Sequence, residues 1–120
     1  MAIRTPNNFN LFVILVLIVT MQFKAESKQC SLIKNYCDVV DCPSLCKSEF
    51  KDGTSSCSFF NLCTCFFEGA VDQNCNIAMG FCNAECNALC CNQKCQQKYG
   101  RDSVGICNES KGVRLCICYY

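Results

Sequence analysis

The sequence contains no histidine and no tryptophan. Without histidine, neither a Cys–His nucleophilic pair nor a Ser–His–Asp triad can form. A glycine-rich phosphate loop is also absent, and the aspartates and glutamates show no spacing typical of paired catalytic carboxylates. These absences argue against an enzyme, and nothing in the sequence indicates a cofactor.

Long apolar stretches are scarce, and the main one lies near the N-terminus. Residues 11–19 form an unbroken apolar run, which is shorter than the roughly 20 residues that span a bilayer. Arg4 precedes the run, and Ala25 and Ser27 place small residues at positions −3 and −1 of a cleavage site. This pattern predicts a signal peptide over 1–27 and a secreted, extracellular protein without a transmembrane anchor. Cleavage after Ala25 and retention as a signal anchor are the alternatives.

Excess charge of one sign is absent as well. Removing the predicted signal peptide leaves nine basic and nine acidic residues. The mature chain therefore has no net field that would attract it to nucleic acid or to an anionic membrane. The charge is nevertheless uneven, with four Lys against six acids in 28–75 and five Lys or Arg against three acids in 76–120.

Cysteine is the residue that the chain has in excess, with 16 in 120 residues. In a secreted chain this composition predicts a disulfide scaffold, because domains of about 45 residues seldom bury enough apolar surface to fold without cross-links. A thiolate metal store is the alternative, but it requires reduced cysteines. A lipid-transfer pattern is excluded by the position of Cys-x-Cys at the end of the chain.

Nearly the same cysteine spacing occurs twice in the chain. This repeat predicts two structural units, unit 1 over 28–75 and unit 2 over 76–120. The first series is Cys37-x4-Cys42-x3-Cys46-x10-Cys57-x5-Cys63-x-Cys65. The second series is Cys86-x4-Cys91-x3-Cys95-x11-Cys107-x8-Cys116-x-Cys118. Three of the five gaps agree and a fourth differs by one, as an internal duplication predicts.

The spacing of these cysteines suits a helix placed across a strand. Residues i and i+4 share one face of a helix, and residues i and i+2 share one face of a strand. Two disulfides can therefore join a Cys-x-x-x-Cys helix to a Cys-x-Cys strand. Asp41 and Gly53 bound one predicted helix, and Gly100 ends the other. "LCTCFF" and "VRLCICYY" are predicted strands, and Gly112 suits a hairpin turn.

This combination resembles the cystine-stabilised αβ fold of plant defensin-like secreted peptides, specifically their two-domain members. The resemblance implies an α+β fold with one helix packed on a small antiparallel sheet in each unit. It also implies three bridges in each unit. These pairs are Cys37–Cys57, Cys42–Cys63 and Cys46–Cys65, followed by Cys86–Cys107, Cys91–Cys116 and Cys95–Cys118.

Four cysteines remain outside this pattern: Cys30, Cys75, Cys82 and Cys90. Plant defensins often carry a fourth bridge from the first to the last cysteine, which implies Cys30–Cys75 in unit 1. Cys82–Cys90 would then complete unit 2, although no further cysteine follows Cys118. A bridge between the units, from Cys75 to Cys82 or Cys90, is the open alternative.

The resemblance also nominates a contact surface, because many host-defence peptides share a Gly-x-Cys hairpin. "GICNESKGVRLC" fits that hairpin from Gly105 and carries Lys111 and Arg114. The corresponding stretch of unit 1 carries Phe59 and Phe60 instead, which could seat at a membrane interface. The alternatives are that the aromatic stretch is core or a surface between the units, and that the two cations belong to a solvated turn.

Asn108-Glu109-Ser110 is an N-glycosylation sequon within the hairpin of unit 2. If Asn108 is glycosylated, the sugar is expected to shield the nominated loop and to weaken a membrane-disrupting role.

Two functions follow from the resemblance. The first is host defence, chiefly antifungal or antimicrobial, by contact with a microbial membrane or cell-wall component. The second is a secreted signalling ligand for a cell-surface receptor, which the neutral mature charge favours. Inhibition of proteases or channels, known for some relatives, has no residue here that recommends it.

Overall fold

The computed structural model of the chain describes residues 10–16 and 27–120. Residues 10–16 are helical, with exposed side chains. The rest of the predicted signal peptide up to residue 26, including the cleavage site after Ala25, lies outside the described residues. Ser27 is the first residue of a strand and pairs with Ala70. Cleavage after Ala25 would therefore keep this strand intact, whereas cleavage after Ser27 would remove its first residue.

Each unit is a three-stranded antiparallel sheet with one helix. Unit 1 comprises β1 (Ser27–Tyr36), α1 (Cys42–Glu49), β2 (Thr54–Ser56) and β3 (Leu62–Ala70), and unit 2 comprises β4 (Asn76–Phe81), α2 (Ala88–Tyr99), β5 (Val104–Ser110) and β6 (Val113–Tyr119). The strand orders are β1-β3-β2 and β4-β6-β5, so the Cys-x-Cys strand is central in both. The predicted α+β fold with two tandem αβ units is confirmed.

The helix ends follow local chemistry, with two differences from expectation. Asp41 is the N-cap residue of α1 but makes no side-chain cap bond, and the helix ends at Glu49, before Gly53. The helix α2 begins several residues earlier than "NQKCQQKY" indicates, because the Asn87 side chain accepts a hydrogen bond from the Cys90 backbone N–H. Gly100 follows α2 with a φ of 106°, which glycine adopts without steric cost.

Two adjacent bridges hold the helix to the central strand in each unit. They are Cys42–Cys63 and Cys46–Cys65 in unit 1, and Cys91–Cys116 and Cys95–Cys118 in unit 2. Six of these eight cysteines have no exposed surface, and the other two are 2% exposed. The sulfurs therefore form the core of each unit, in place of the larger apolar core that so short a chain cannot build.

The structure agrees with two further pairs in unit 1 and corrects two in unit 2. Cys37–Cys57 and Cys30–Cys75 form as the resemblance implies. Cys86–Cys107 and Cys82–Cys90 are wrong, because the structure pairs Cys82 with Cys107 and Cys86 with Cys90. All sixteen cysteines are paired, and none of the eight bridges joins unit 1 (28–75) to unit 2 (76–120).

The correction follows from the position of each cysteine relative to its sheet. Cys37 follows β1 directly, and its backbone N–H donates to the Asn61 carbonyl over 2.8 Å. Cys82 follows β4 in the same way and donates to the Arg114 carbonyl over 2.8 Å. Cys82 is therefore the counterpart of Cys37. Cys86 lies in the longer loop before α2, where its spacing to Cys91 matches that of Cys37 to Cys42 by coincidence.

The two units pack through the sheet faces that carry no helix. Leu62 on β3 and Leu115 on β6 hold equivalent positions, and both are buried in one apolar cluster with Ile117. The sheets also meet at β1 and β4, where the Ser31 hydroxyl donates to the Asn76 carbonyl over 2.8 Å. The layers of the molecule therefore follow the order α1, sheet of unit 1, sheet of unit 2, α2.

Reciprocal contacts relate the two units by an approximate two-fold axis. Tyr36, the last residue of β1, contacts the hairpin turn of unit 2. Phe81, the last residue of β4, contacts the corresponding turn of unit 1. Such exchange of equivalent contacts is the defining property of an isologous interface. The duplication seen in the sequence is therefore also a duplication of the packing surface.

Candidate functional site

The nominated hairpin of unit 2 starts at a buried glycine. Gly105 lies beneath α2, where a Cβ atom would come within 2.5 Å of the Cys91 carbonyl oxygen. Its backbone N–H donates to Asn92 Oδ1 over 3.0 Å. The glycine thus permits close approach of α2 to β5, and its role is packing within the unit.

Lys111, at the tip of that hairpin, lies against the other unit. Its Nζ is 3.8 Å from the centroid of the Tyr36 ring, a favourable cation–π distance. The neighbouring Ser110 hydroxyl is hydrogen-bonded to the Tyr36 hydroxyl. Lys111 and Gly112 both have positive φ values, 48° and 82°, as a tight two-residue hairpin turn requires. Although Lys111 is exposed, its charge is directed at unit 1.

The aromatic residues nominated in unit 1 occupy the equivalent place. Phe59 and Phe60 are half-buried, and their ring centroids lie 5.2 and 5.9 Å from that of Phe81. Phe60 also contacts Tyr36, edge to face, at 6.3 Å. Phe60 and Asn61 have φ values of 49° and 55°. This left-handed backbone conformation is costly for a bulky side chain such as that of Phe60. These aromatic residues pack at the interface between the units, which was the alternative considered for them.

Arg114 is the remaining nominated residue, and it stays exposed. It pairs across the strands with Glu109 and lies on the face of the sheet opposite that of its neighbour Leu115. The structure therefore does not bring the five nominated residues to one surface. Gly105 is internal, Lys111 and the two phenylalanines contact the other unit, and Arg114 is exposed opposite Glu109.

A basic surface that the sequence reasoning missed lies on α2. Lys94, Lys98 and Arg101 are all exposed and are spaced by four and three residues, so they share one side of the helix and its end. No acidic residue occurs between 88 and 101. That spacing was a signal available in the sequence. The corresponding region of unit 1 mixes Lys47 and Lys51 with acidic neighbours.

Two stacked tyrosines close the side of the molecule where the units join. The rings of Tyr99 and Tyr120 lie 3.9 Å apart, and the Tyr120 hydroxyl is hydrogen-bonded to the Ser31 hydroxyl over 2.7 Å. Burial raises the pKa of both phenols, and the proximity of Tyr99 contributes to the rise in the pKa of Tyr120. Tyr120 also exchanges two backbone hydrogen bonds with Cys75.

Three groups of cysteines place their sulfurs within 4.8 Å of one another. Every cysteine in these groups is disulfide-bonded. A metal site of this kind needs thiolates, so these clusters are explained by adjacent bridges. Within 10–16 and 27–120, no helix is long and apolar enough to cross a bilayer.

Comparison with known proteins identifies relatives over most of the chain. The chain is 31% identical over 123 residues to Defensin-like protein 181 of Arabidopsis thaliana, covering 98% of this chain and 97% of that protein. Defensin-like protein 182 of the same plant is 30% identical over 120 residues, with 89% of each chain covered. Defensin-like protein 183 is 29% identical over 113 residues, with 88% and 87% covered.

No family model matches the chain, and no solved structure matches it. The relatives nevertheless span both units, which agrees with two cystine-stabilised αβ units held by eight disulfides. The chain belongs to the defensin-like protein family.

Proposed function

We propose that this protein is a secreted, non-enzymatic host-defence protein that acts on fungi by binding a component of their surface. The observation that carries the proposal is the two-unit cystine-stabilised fold in a chain related over most of its length to defensin-like proteins. A body in which all sixteen cysteines are bridged suits an extracellular environment, where unfolding and proteolysis must be resisted.

Secretion has two further supports. The eight disulfides require an oxidising compartment in which to form and persist. The short apolar run near the N-terminus, followed by small residues at a cleavage site, is the pattern of a signal peptide. The protein acts outside the cell that makes it.

The proposed contact surface is the basic side of α2, with Arg114 as an additional cation. Lys94, Lys98 and Arg101 are exposed and have no acidic residue between them along the helix. An anionic component of the microbial membrane or wall is the partner that this charge would attract. Phe59 and Phe60 are engaged between the units, so this mechanism does not require them to enter lipid.

A growth-inhibition assay with disulfide-bonded protein tests this proposal. Replacing Lys94 and Lys98 with Ala is expected to reduce inhibition of fungal growth severalfold at low salt, because the local positive potential is lost. Replacing Lys47 and Lys51 with Ala removes the same charge from the region of α1 and serves as the control. The proposal fails if the unaltered protein does not inhibit growth at any micromolar dose, or if both double variants lose inhibition equally.

A secreted ligand for a cell-surface receptor is the second candidate. The specific observation in its favour is that Lys111, Phe59 and Phe60 lie against the opposite unit, so neither of these two hairpin turns is free to insert into a membrane. The balanced mature charge favours it too. Saturable binding of labelled protein to plant cells, without growth inhibition of fungi, would support this candidate over the first.

A further inference from the structure

An apolar strip remains exposed on unit 2, beyond the area that unit 1 covers. Val104 and Ile106 on β5 are 47% and 45% exposed, and Tyr119 on β6 is 39% exposed. Val104 pairs with Tyr119 and Ile106 with Ile117, so all three side chains share the helix-free face. Most of this face of unit 2 is buried against the sheet of unit 1, but the edge of the face along β5 extends beyond that sheet.

Unit 1 provides an internal comparison for this strip. Thr54 and Ser56 hold the positions on β2 that Val104 and Ile106 hold on β5, because they pair with equivalent residues of the central strand. The margin is thus polar in unit 1 and apolar in unit 2. The exposed apolar residues are a property of one unit and are not required by the fold.

Asn108 continues the same row on β5, two residues after Ile106. It is exposed, and its Nδ2 donates to the Tyr119 hydroxyl over 3.0 Å. With Ser110 two residues later, it forms an Asn-x-Ser sequon. The corresponding position of unit 1 is Ser58, which is no acceptor. The apolar margin and the sequon therefore occur together, and only on unit 2.

We propose that Asn108 carries an N-linked glycan that lies over the strip formed by Val104, Ile106 and Tyr119. The co-substrate is an oligosaccharide linked through a diphosphate to a polyisoprenoid lipid. Asn108 Nδ2 attacks the anomeric carbon, the new N–C bond forms, and the C–O bond to the diphosphate breaks. The lipid diphosphate leaves with the electron pair, and Nδ2 gives up one of its two protons.

The folded structure dictates when this transfer occurs. In the folded protein the Ser110 hydroxyl is hydrogen-bonded to the Tyr36 hydroxyl, and Asn108 lies within a paired strand. The sequon is accessible to a transferase only while the hairpin is open, so the sugar is added before the two units pack. The N–H that remains on Nδ2 can still donate to the Tyr119 hydroxyl after folding.

The glycan leaves the proposed contact surface free. Arg114 precedes Leu115 on β6, so its side chain points to the sheet face opposite that of Asn108. The helix α2, with Lys94 and Lys98, also packs on that opposite face. A sugar on Asn108 would thus cover the apolar margin without shielding the basic residues.

The first test measures occupancy, and it rests on the secretion that the proposed function includes. The full chain is expressed in plant cells, and protein from the medium is weighed intact before and after treatment with PNGase A. We expect the added mass of one glycan, lost on enzyme treatment and absent from Asn108→Gln. Ser110→Thr keeps both the sequon and a hydroxyl, so it should retain the glycan.

Protein recovered from the medium at the bare polypeptide mass would overturn the glycan while leaving secretion intact. Protein found only inside the cell, reduced and without sugar, would overturn both. The location and the mass together separate the two failures.

The second test asks whether the sugar covers the strip. Removing the glycan with PNGase A should raise the binding of a hydrophobic dye severalfold, and Asn108→Gln should have the same effect. Adding Ile106→Ser to Asn108→Gln should reverse the rise. Adding Val71→Ser, which removes an exposed valine elsewhere, should not. Dye binding that is unchanged when the glycan is removed would contradict the proposed cover.

Discussion

Units 1 and 2 each have four bridges, of which three occupy equivalent positions and the fourth does not. In unit 1 the fourth bridge, Cys30–Cys75, spans 45 residues, and both cysteines are 2% exposed. In unit 2 it is Cys86–Cys90, which spans four residues and is partly exposed in the loop before α2. The shared bridges fix the helix and the loop after the first strand onto the sheet, and the fourth is free to take another role in each copy.

The positions of the fourth bridges explain this freedom. Cys75 exchanges backbone hydrogen bonds with Tyr120 and immediately precedes β4. Cys30–Cys75 therefore fixes β1 beside the point where unit 2 begins. Cys86–Cys90 constrains only its own loop and the first turn of α2. One bridge thus serves the junction of the two units, and the other serves a local loop.

Removing each fourth bridge should give the largest difference between the units. A bridge stabilises a protein mainly by restricting the unfolded chain, so replacing Cys30 and Cys75 with Ser should lower the free energy of unfolding by about 4 kcal/mol. The same change at Cys86 and Cys90 should lower it by about 2 kcal/mol, because the loop that it closes is much shorter. Denaturant unfolding of both double variants measures the two values.

If removing Cys86–Cys90 lowered the free energy of unfolding more than removing Cys30–Cys75, the result would contradict this account of the two bridges. Peptide mapping of each variant is the necessary control, since it establishes that the other seven bridges have formed unchanged.

Truncating the equivalent leucines at the interface should give losses that match one another. Leu115 is 2% exposed and Leu62 is 7% exposed, and both belong to the cluster between the sheets. Replacing either with Ala should lower the free energy of unfolding by about 3 kcal/mol. Leu89→Ala on α2, where the side chain is 64% exposed, is the control and should change it by less than about 0.5 kcal/mol. Strongly unequal losses at the two interface sites would argue against the two-fold relation.

Raising the pH should weaken the junction of the units slightly. Because the pKa values of Tyr99 and Tyr120 are raised in the folded protein, that state holds more protons than the unfolded chain once the pH exceeds about 10. Their contribution to stability is complete below that pH and is lost as the pH rises through the folded pKa values. Urea midpoints on either side of this pH measure the loss.

Tyr99→Phe removes one of the two phenols without touching the hydrogen bond from Tyr120 to Ser31, so it should reduce the pH dependence. If the midpoint falls equally in this variant and in the unaltered chain, the tyrosine pair is not the cause.

The sequence predicted the helix, hairpin and central strand of each unit because cysteine spacing and periodicity are local properties. Two of the four pairs in unit 2, Cys86–Cys107 and Cys82–Cys90, were wrong for a physical reason. Spacing alone made Cys86 the counterpart of Cys37, but the end of the first strand decides the pairing, and that place belongs to Cys82.

The contact between the units was harder to predict, because it joins residues far apart in the chain. One signal was present. In "LCIC" apolar residues alternate with cysteine, so both faces of that central strand are apolar, and "LCTC" has the same alternation except that Thr64 takes the place of the isoleucine. The helix covers only one face, and a second partner is therefore required. A surface between the units was one alternative for the stretch around Phe59, but nothing in the pattern placed Lys111 in that contact.

The four-layer arrangement has an electrical consequence. The outer layer at α2 carries Lys94, Lys98 and Arg101, whereas around α1 the acidic residues offset Lys47 and Lys51. Residues 28–75 hold four Lys against six acids, and residues 76–120 hold five Lys or Arg against three acids. A mature chain with balanced charge is therefore a dipole directed across its layers. Near an anionic surface it experiences a torque in place of a net pull, and this torque turns the α2 side toward the surface before any contact is made.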